Sequence, residues 1–232
     1  MNNKPFNNCM AILFDFGGTL DSDGEHWLDR FYELYEDANI DLPREEIKRV
    51  FYRADALCYA DPCVRNLDLR PLMQHHVRLQ LEELGLSVPG LEDRMVEGFC
   101  SRAKWFLVRN ASLLGRLRER FHLGVVSNFY GNVATLCEEA GLARWLDVIV
   151  DSTRVGMSKP DPGIFRIALD ELGLEPGKAI FVGDSYEHDM MPARRIGMKT
   201  IWLKGPHPRI PYDAEEVDYC ISNLTDLEPL LI

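Results

Sequence analysis

The period of the hydrophobic positions changes along the chain, and those changes predict its elements. Ala11-Ile12-Leu13-Phe14 is a continuous apolar run, too short for a helix, which suits a strand buried on both faces. It ends at Asp15 and the glycine-bearing stretch Phe16-Gly17-Gly18-Thr19-Leu20. From Gly24 to about Phe106 the period is helical, with no strand expected. Trp27, Leu28, Phe31, Tyr32, Leu34 and Tyr35 form one apolar face. Pro43, followed by Glu45 and Glu46, opens a second helix through Val50, Phe51 and Leu57. A third runs from about Leu69 to Leu84 and stops at Gly85. A fourth follows Pro89-Gly90 and carries Met95, Val96 and Phe99.

After Leu107 helices and strands alternate. Helices are expected over Ala111–Phe121, Asn132–Ala140, Gly163–Leu172 and about Met190–Ile196. Strands are expected over Leu123–Ser127, Val148–Asp151, Ala179–Gly183, Thr200–Leu203 and about Tyr219–Ile221, with a last helix behind them. Short apolar strands separated by helix-length segments predict a parallel sheet covered on both faces. The first strand has no helix directly behind it, so it joins this sheet, and the four-helix block becomes an insertion. The fold class expected is α/β, a Rossmann-like parallel sheet plus an inserted all-helical domain. Residues 1–21 and 107–232 are assigned to the core and 22–106 to the insert. Gly205–Tyr212, with three prolines, reads as a surface loop.

Composition narrows the functions. The chain has 232 residues and a net charge of −11, so no Lys/Arg stripe is available for nucleic acid. No apolar run approaches membrane-spanning length, and Met1–Asn8 is polar, without the apolar segment of an export signal. The six cysteines are scattered, with no CxxC pair and no Cys/His metal spacing, which points to reduced thiols in the cytoplasm. The pattern sets no oligomeric state.

The chemistry lies at the strand ends. The strand through Val126 ends in Ser127-Asn128, and the strand through Val182 ends in Gly183-Asp184, with Asp189 five residues later. Lys159-Pro160 opens a loop into a helix. In a parallel sheet these ends share one edge, where open α/β sheets bind ligands. Asp15, Ser127, Lys159, Asp184 and Asp189 are therefore expected to converge, rather than to act as separate turn caps. Three crowded carboxylates repel unless a cation sits among them. Hard oxygen ligands select Mg²⁺, typically completed by a substrate phosphate. A lysine and a hydroxyl beside that cluster can hold phosphoryl oxygens.

The set Asp15-Phe-Gly-Gly-Thr19-Leu, Ser127-Asn128, Lys159-Pro160 and Gly183-Asp184-Ser-Tyr-Glu-His-Asp189 resembles the four motifs of the haloacid dehalogenase-like hydrolases, in the family's order. The helical insert after the first motif resembles that family's cap. The resemblance implies a phosphatase of a small phosphorylated metabolite, admitted under the cap. It implies Asp15 as the nucleophile that becomes an aspartyl-phosphate. Ser127 and Lys159 would act on the transferring group, together with Gly18 and Asn128 as substrate contacts. Mg²⁺ would be held by Asp15, the Gly17 carbonyl, Asp184 and Asp189.

One position departs from the pattern. The phosphatase branch carries an Asp two residues after the nucleophile as general acid and base, and here that residue is Gly17. Such a group typically contributes about 10² to 10⁴ in rate, so turnover of alkyl phosphates is expected to suffer relative to aryl phosphates. Asp21, Asp23 and His26 lie just beyond the loop as replacements, and His75, His76 or Lys48 lie in the insert. The alternatives are a 2-haloacid dehalogenase, a phosphonatase using Lys48 or Lys104, and a catalytically impaired Mg²⁺/phosphate-binding regulator.

Overall fold

The computed structural model describes residues 6–205 and 217–232. Six parallel strands form one sheet in the order β3-β2-β1-β4-β5-β6: β1 (Ala11–Phe14), β2 (His122–Ser127), β3 (Val148–Asp151), β4 (Ala179–Gly183), β5 (Lys199–Leu203) and β6 (Tyr219–Ile221). β1 lies inside the sheet, as its unbroken apolar run requires. Ile12 and Phe14 pack into the cluster shared with the inserted helices, and Ala11 and Leu13 into the cluster on the opposite face. Phe14 is in register with Val125 of β2 and with Val182 of β4. Asp15 is one residue past that register and Ser127 and Asp184 are two past it, so all three emerge at the same carboxyl edge.

Between β1 and β2 stand α1 (Trp27–Asp37), α2 (Arg44–Ala60), α3 (Leu69–Glu83) and α4 (Leu91–Leu117). On α2 the buried face is Ile47, Val50, Phe51, Ala54 and Cys58, while Leu57, expected on that face, is exposed. The largest difference from expectation is α4. The separately expected helices after Gly90 and over Ala111–Phe121 are one 27-residue helix, which crosses position 106/107 unbroken. Buried positions Met95, Val96, Phe99, Ala103, Leu107, Asn110, Leu113, Leu114 and Leu117 keep helical spacing throughout, and no proline interrupts them. The change of pattern at residue 107 is a change of packing partner rather than a helix stop.

The second half continues with α5 (Val133–Glu139), the single turn α6 (Ser152–Val155), α7 (Gly163–Leu172), α8 (Met191–Arg195) and α9 (Leu227–Leu231). α6 was not legible as a helix, being four residues long and capped by the Asp151 side chain on the Thr153 N–H. Apart from Gly205, the segment expected as a surface loop up to Tyr212 lies outside the described residues. Among the described residues no helix is long and apolar enough to cross a membrane, and all six cysteines are free.

Candidate active site

Asp15 leaves β1 at the centre of the sheet, and three donors converge on one of its oxygens. Its Oδ1 accepts from the Phe16 N–H at 2.8 Å and from Ser127 Oγ at 2.7 Å. The same oxygen lies 2.8 Å from Lys159 Nζ. Oδ2 takes no donor among the described residues, so one oxygen is fixed and the other is left for a ligand.

Lys159 bridges the acidic side chains, with Nζ 2.6 Å from Asp189 Oδ1. It is 4 % exposed, and Asp189 is fully buried. Burial alone would lower the lysine pKa; Asp15 and Asp189 more than offset that and hold it above the ordinary lysine value. Asn128 sets the position of this lysine. Its side chain accepts from the Lys159 N–H at 2.8 Å and donates to the Lys159 carbonyl at 2.9 Å, clamping the backbone of a residue 31 positions away.

The far side of the cluster is Asp184. Its Oδ1 accepts from Thr19 Oγ1 at 3.1 Å. Two glycines make room for the carboxylates. Gly18, at φ +84°, would place a Cβ 2.6 Å from Asp184 Oδ2, and Gly183 would place one 2.4 Å from Asp189 Oδ2. Gly18 also donates its N–H to Asp21 Oδ1 at 2.8 Å. These glycines are space-makers for side chains that matter, the first by conformation as well as by size.

Asp15, Asp184 and Asp189 each offer an oxygen within 4.8 Å of the others. Three carboxylates face one ammonium. Burial and the charges of Asp15 and Asp189 push Asp184 well above the ordinary carboxylate pKa, and burial raises Asp189 to about 6. An all-oxygen set with surplus negative charge fits a hard divalent cation. Asp189 spends Oδ1 on Lys159 and Oδ2 on the Ser185 N–H at 3.0 Å, so Asp15 and Asp184 are the carboxylates with an oxygen to give.

Above this edge lies a cavity of about 290 Å³. The sheet edge contributes Asp15, Gly17, Ser127, Asn128, Lys159 and Asp184 to its lining; the insert contributes chiefly His26, Trp27 and the α2 residues Phe51, Tyr52, Asp55 and Tyr59. A family model for haloacid dehalogenase-like hydrolases matches residues 9–197. The chain belongs to that family. Among its relatives is "Haloacid dehalogenase-like hydrolase domain-containing protein 3" of Bos taurus, 32 % identical over 149 residues, which are 62 % of this chain and 59 % of that protein. Another is "Pyrimidine 5'-nucleotidase YjjG" of Escherichia coli, 31 % identical over 122 residues, 52 % of this chain and 54 % of the relative. The chain thus matches rather more than half the length of these curated relatives. A solved structure described as a dehalogenase superposes with a TM-score of 0.64, covering 97 % of this chain and 98 % of its own at 20 % identity, which shows the shared fold.

The residues near Gly17 are mostly committed elsewhere. Asp21 is locked to Arg30 and Trp27, and Asp23 to the two terminal guanidinium nitrogens of Arg109 at 2.7 Å. His75 lies 3.6 Å from Asp61, and the exposed Lys48 lies 4.0 Å from Glu45. His76 is fully buried, stacked on Phe31, with its pKa lowered to about 3 by burial. Of the expected replacements only His26 lines the cavity. Asp55 also lines it, and sequence reasoning missed it. Its signal was present: Tyr52, Asp55 and Tyr59 share one face of α2, a carboxyl between two rings.

Proposed function

We propose that this chain is a Mg²⁺-dependent phosphatase of a small phosphorylated metabolite, with residues 22–106 acting as a cap over the site. The observation that carries the reading is the charge balance around Asp15, with three carboxylates within 4.8 Å of one another and one lysine. Attack on the carbon of a haloacid needs the nucleophile and a cation for the substrate carboxylate; two further carboxylates beside it would only repel that substrate. A phosphate ester with a divalent ion turns the same carboxylates into an advantage. The relative whose name is a pyrimidine 5'-nucleotidase supports a phosphate ester as substrate.

Asp15, the Gly17 carbonyl and Asp184 would hold Mg²⁺, with Asp189 behind them. When bound, the ion supplies charge neutralisation for the phosphoryl oxygens. Asp15 attacks phosphorus and forms the aspartyl-phosphate. Ser127 and Lys159 orient its Oδ1 and donate to the transferring group, and Asn128 fixes the Lys159 backbone. Water then releases phosphate and regenerates the carboxylate. Six free cysteines accord with a cytoplasmic setting.

The test is release of 4-nitrophenolate from 4-nitrophenyl phosphate, with Mg²⁺ and with chelator. Turnover is expected only with the metal, and Asp15→Asn is expected to abolish it; retained activity in that variant ends the reading. Halide release from a 2-haloacid in chelator would establish the dehalogenase instead, and phosphate binding without turnover the regulator.

A further inference from the structure

The geometry points to Asp55, on the α2 wall of the cavity, as the general acid and base that Gly17 cannot be. This inference rests on the phosphatase reading. The proton donor to a leaving alcohol must reach the ester oxygen from beyond the phosphoryl group, since attacking and departing oxygens lie in line. Asp15 comes from the sheet edge, so the donor is sought among the lining residues that the insert supplies. Asp55 is one of these. Tyr59, one turn further along α2, lines the cavity with it, so the insert brings a carboxyl and a phenol to the space that Asp15 opens onto.

The setting suits the role. Tyr130 is 3 % exposed, and its hydroxyl donates to Asp55 Oδ1. Its ring meets that of Tyr59 edge to face, with centroids 4.7 Å apart. One carboxyl oxygen is thus fixed by a phenol that stays protonated, its pKa raised by burial, and the other remains for a proton. Burial raises the Asp55 pKa, with the Tyr130 hydrogen bond opposing it, which favours an acid that carries a proton until it is needed.

The rival groups on the cavity lining are less suited. His26 accepts the Leu28 N–H at its Nδ1, 3.1 Å away, as the cap of α1, so an imidazolium there would give up the cap. His188 sits in the loop after β4, 3.2 Å from Ser185 Oγ, on the same edge as Asp15.

The steps balance. As an Asp15 oxygen bonds to phosphorus and the ester P–O bond breaks, the Asp55 proton passes to the departing alcohol oxygen, and Tyr130 stabilises the carboxylate left behind. In the second step Asp55 takes a proton from water as that water bonds to phosphorus. The bond between Asp15 and phosphorus breaks, and phosphate leaves.

The experiment uses the full chain with Mg²⁺, comparing ethyl phosphate, whose alcohol needs a proton to leave, with 4-nitrophenyl phosphate, whose phenol does not. The wild type is expected to show a shallow dependence on leaving group. Asp55→Asn is expected to lose about 10² to 10⁴-fold on ethyl phosphate, while 4-nitrophenyl phosphate still gives one stoichiometric burst followed by slow turnover. Adding Gly17→Asp to Asp55→Asn should restore the ethyl ester, because a Cβ at position 17 has nothing closer than 3.5 Å and the backbone there is ordinary. A steep leaving-group dependence in the wild type overturns the assignment without any variant. So does an Asp55→Asn protein that keeps the wild-type profile, or one that loses burst and ethyl turnover together. A wild type that releases phosphate from neither ester removes the phosphatase reading itself, and with it this role.

Discussion

The loop after β1 touches two buried clusters of charge, and they are built on opposite principles. At its start Asp15 joins Asp184, Asp189 and Lys159, three carboxylates to one ammonium. At its end Asp21, Asp23 and Glu25 meet Arg30, Arg109 and Arg102, with Glu33 also pairing with Arg102. The second cluster is closed: Arg30 and Asp21 are each 1 % exposed, and the Arg30 fork also holds the Asp21 carbonyl at 2.8 Å. It ties the loop to α1 and α4, and each of its three loop carboxylates faces a guanidinium. The first cluster is open toward a cavity and short of positive charge. Both are acidic in sequence; only the one that lacks its counter-charges is a site.

Removing one partner of the closed cluster should give the largest effect. Arg30→Met leaves Asp21 buried without its counter-ion and is expected to cost about 3–5 kcal/mol in urea unfolding. A loss below about 1 kcal/mol would show that the cluster is not the closed ion pair described here.

A pH comparison between wild type and His76→Gln sharpens the contrast from the side of the insert. His76 is held neutral by burial, with its pKa lowered to about 3. Between there and the ordinary value near 6.5 the unfolded chain binds the proton and the native chain does not, so stability falls as pH drops below about 6.5. At pH 5 this amounts to about 2 kcal/mol. The variant should lose that part of the slope; an unchanged slope would mean that His76 is charged in the fold.

The open cluster has the reverse sign. Asp184 has a raised pKa, so the native state of the chelator-treated protein binds its proton more readily than the unfolded chain does. Its contribution to stability is present at low pH and lost as pH rises. Asp184→Asn is therefore expected to raise the urea midpoint of chelator-treated protein at pH 8. A decrease would mean that Asp184 is already compensated. The smallest effect belongs to an ordinary surface pair: Arg49→Ala, which breaks a 2.7 Å contact with the partly exposed Glu83, should change stability by no more than about 0.5 kcal/mol.

Much of this was legible along the chain. The apolar run Ala11–Phe14 and the short strands after residue 120 are local patterns, and a parallel sheet converts their order into a shared edge. The convergence of Asp15, Ser127, Lys159, Asp184 and Asp189 followed from that geometry. Less legible were the roles of Gly18 and Asn128. One makes space beside Asp184 and the other clamps a lysine backbone, and both depend on residues far away in sequence.

By itself the sequence determined the sheet, the inserted helices and the carboxylates at the strand ends, because hydrophobic period and strand termini are properties of short stretches. Tertiary structure alone decided which acidic residues are neutralised. Arg30 silences Asp21, Arg109 silences Asp23, and Asp55 reaches the cavity because α2 presents it beside Tyr130. The physical reason is that charge compensation depends on distance in space and on the water removed between groups, and neither quantity is written in the order of residues.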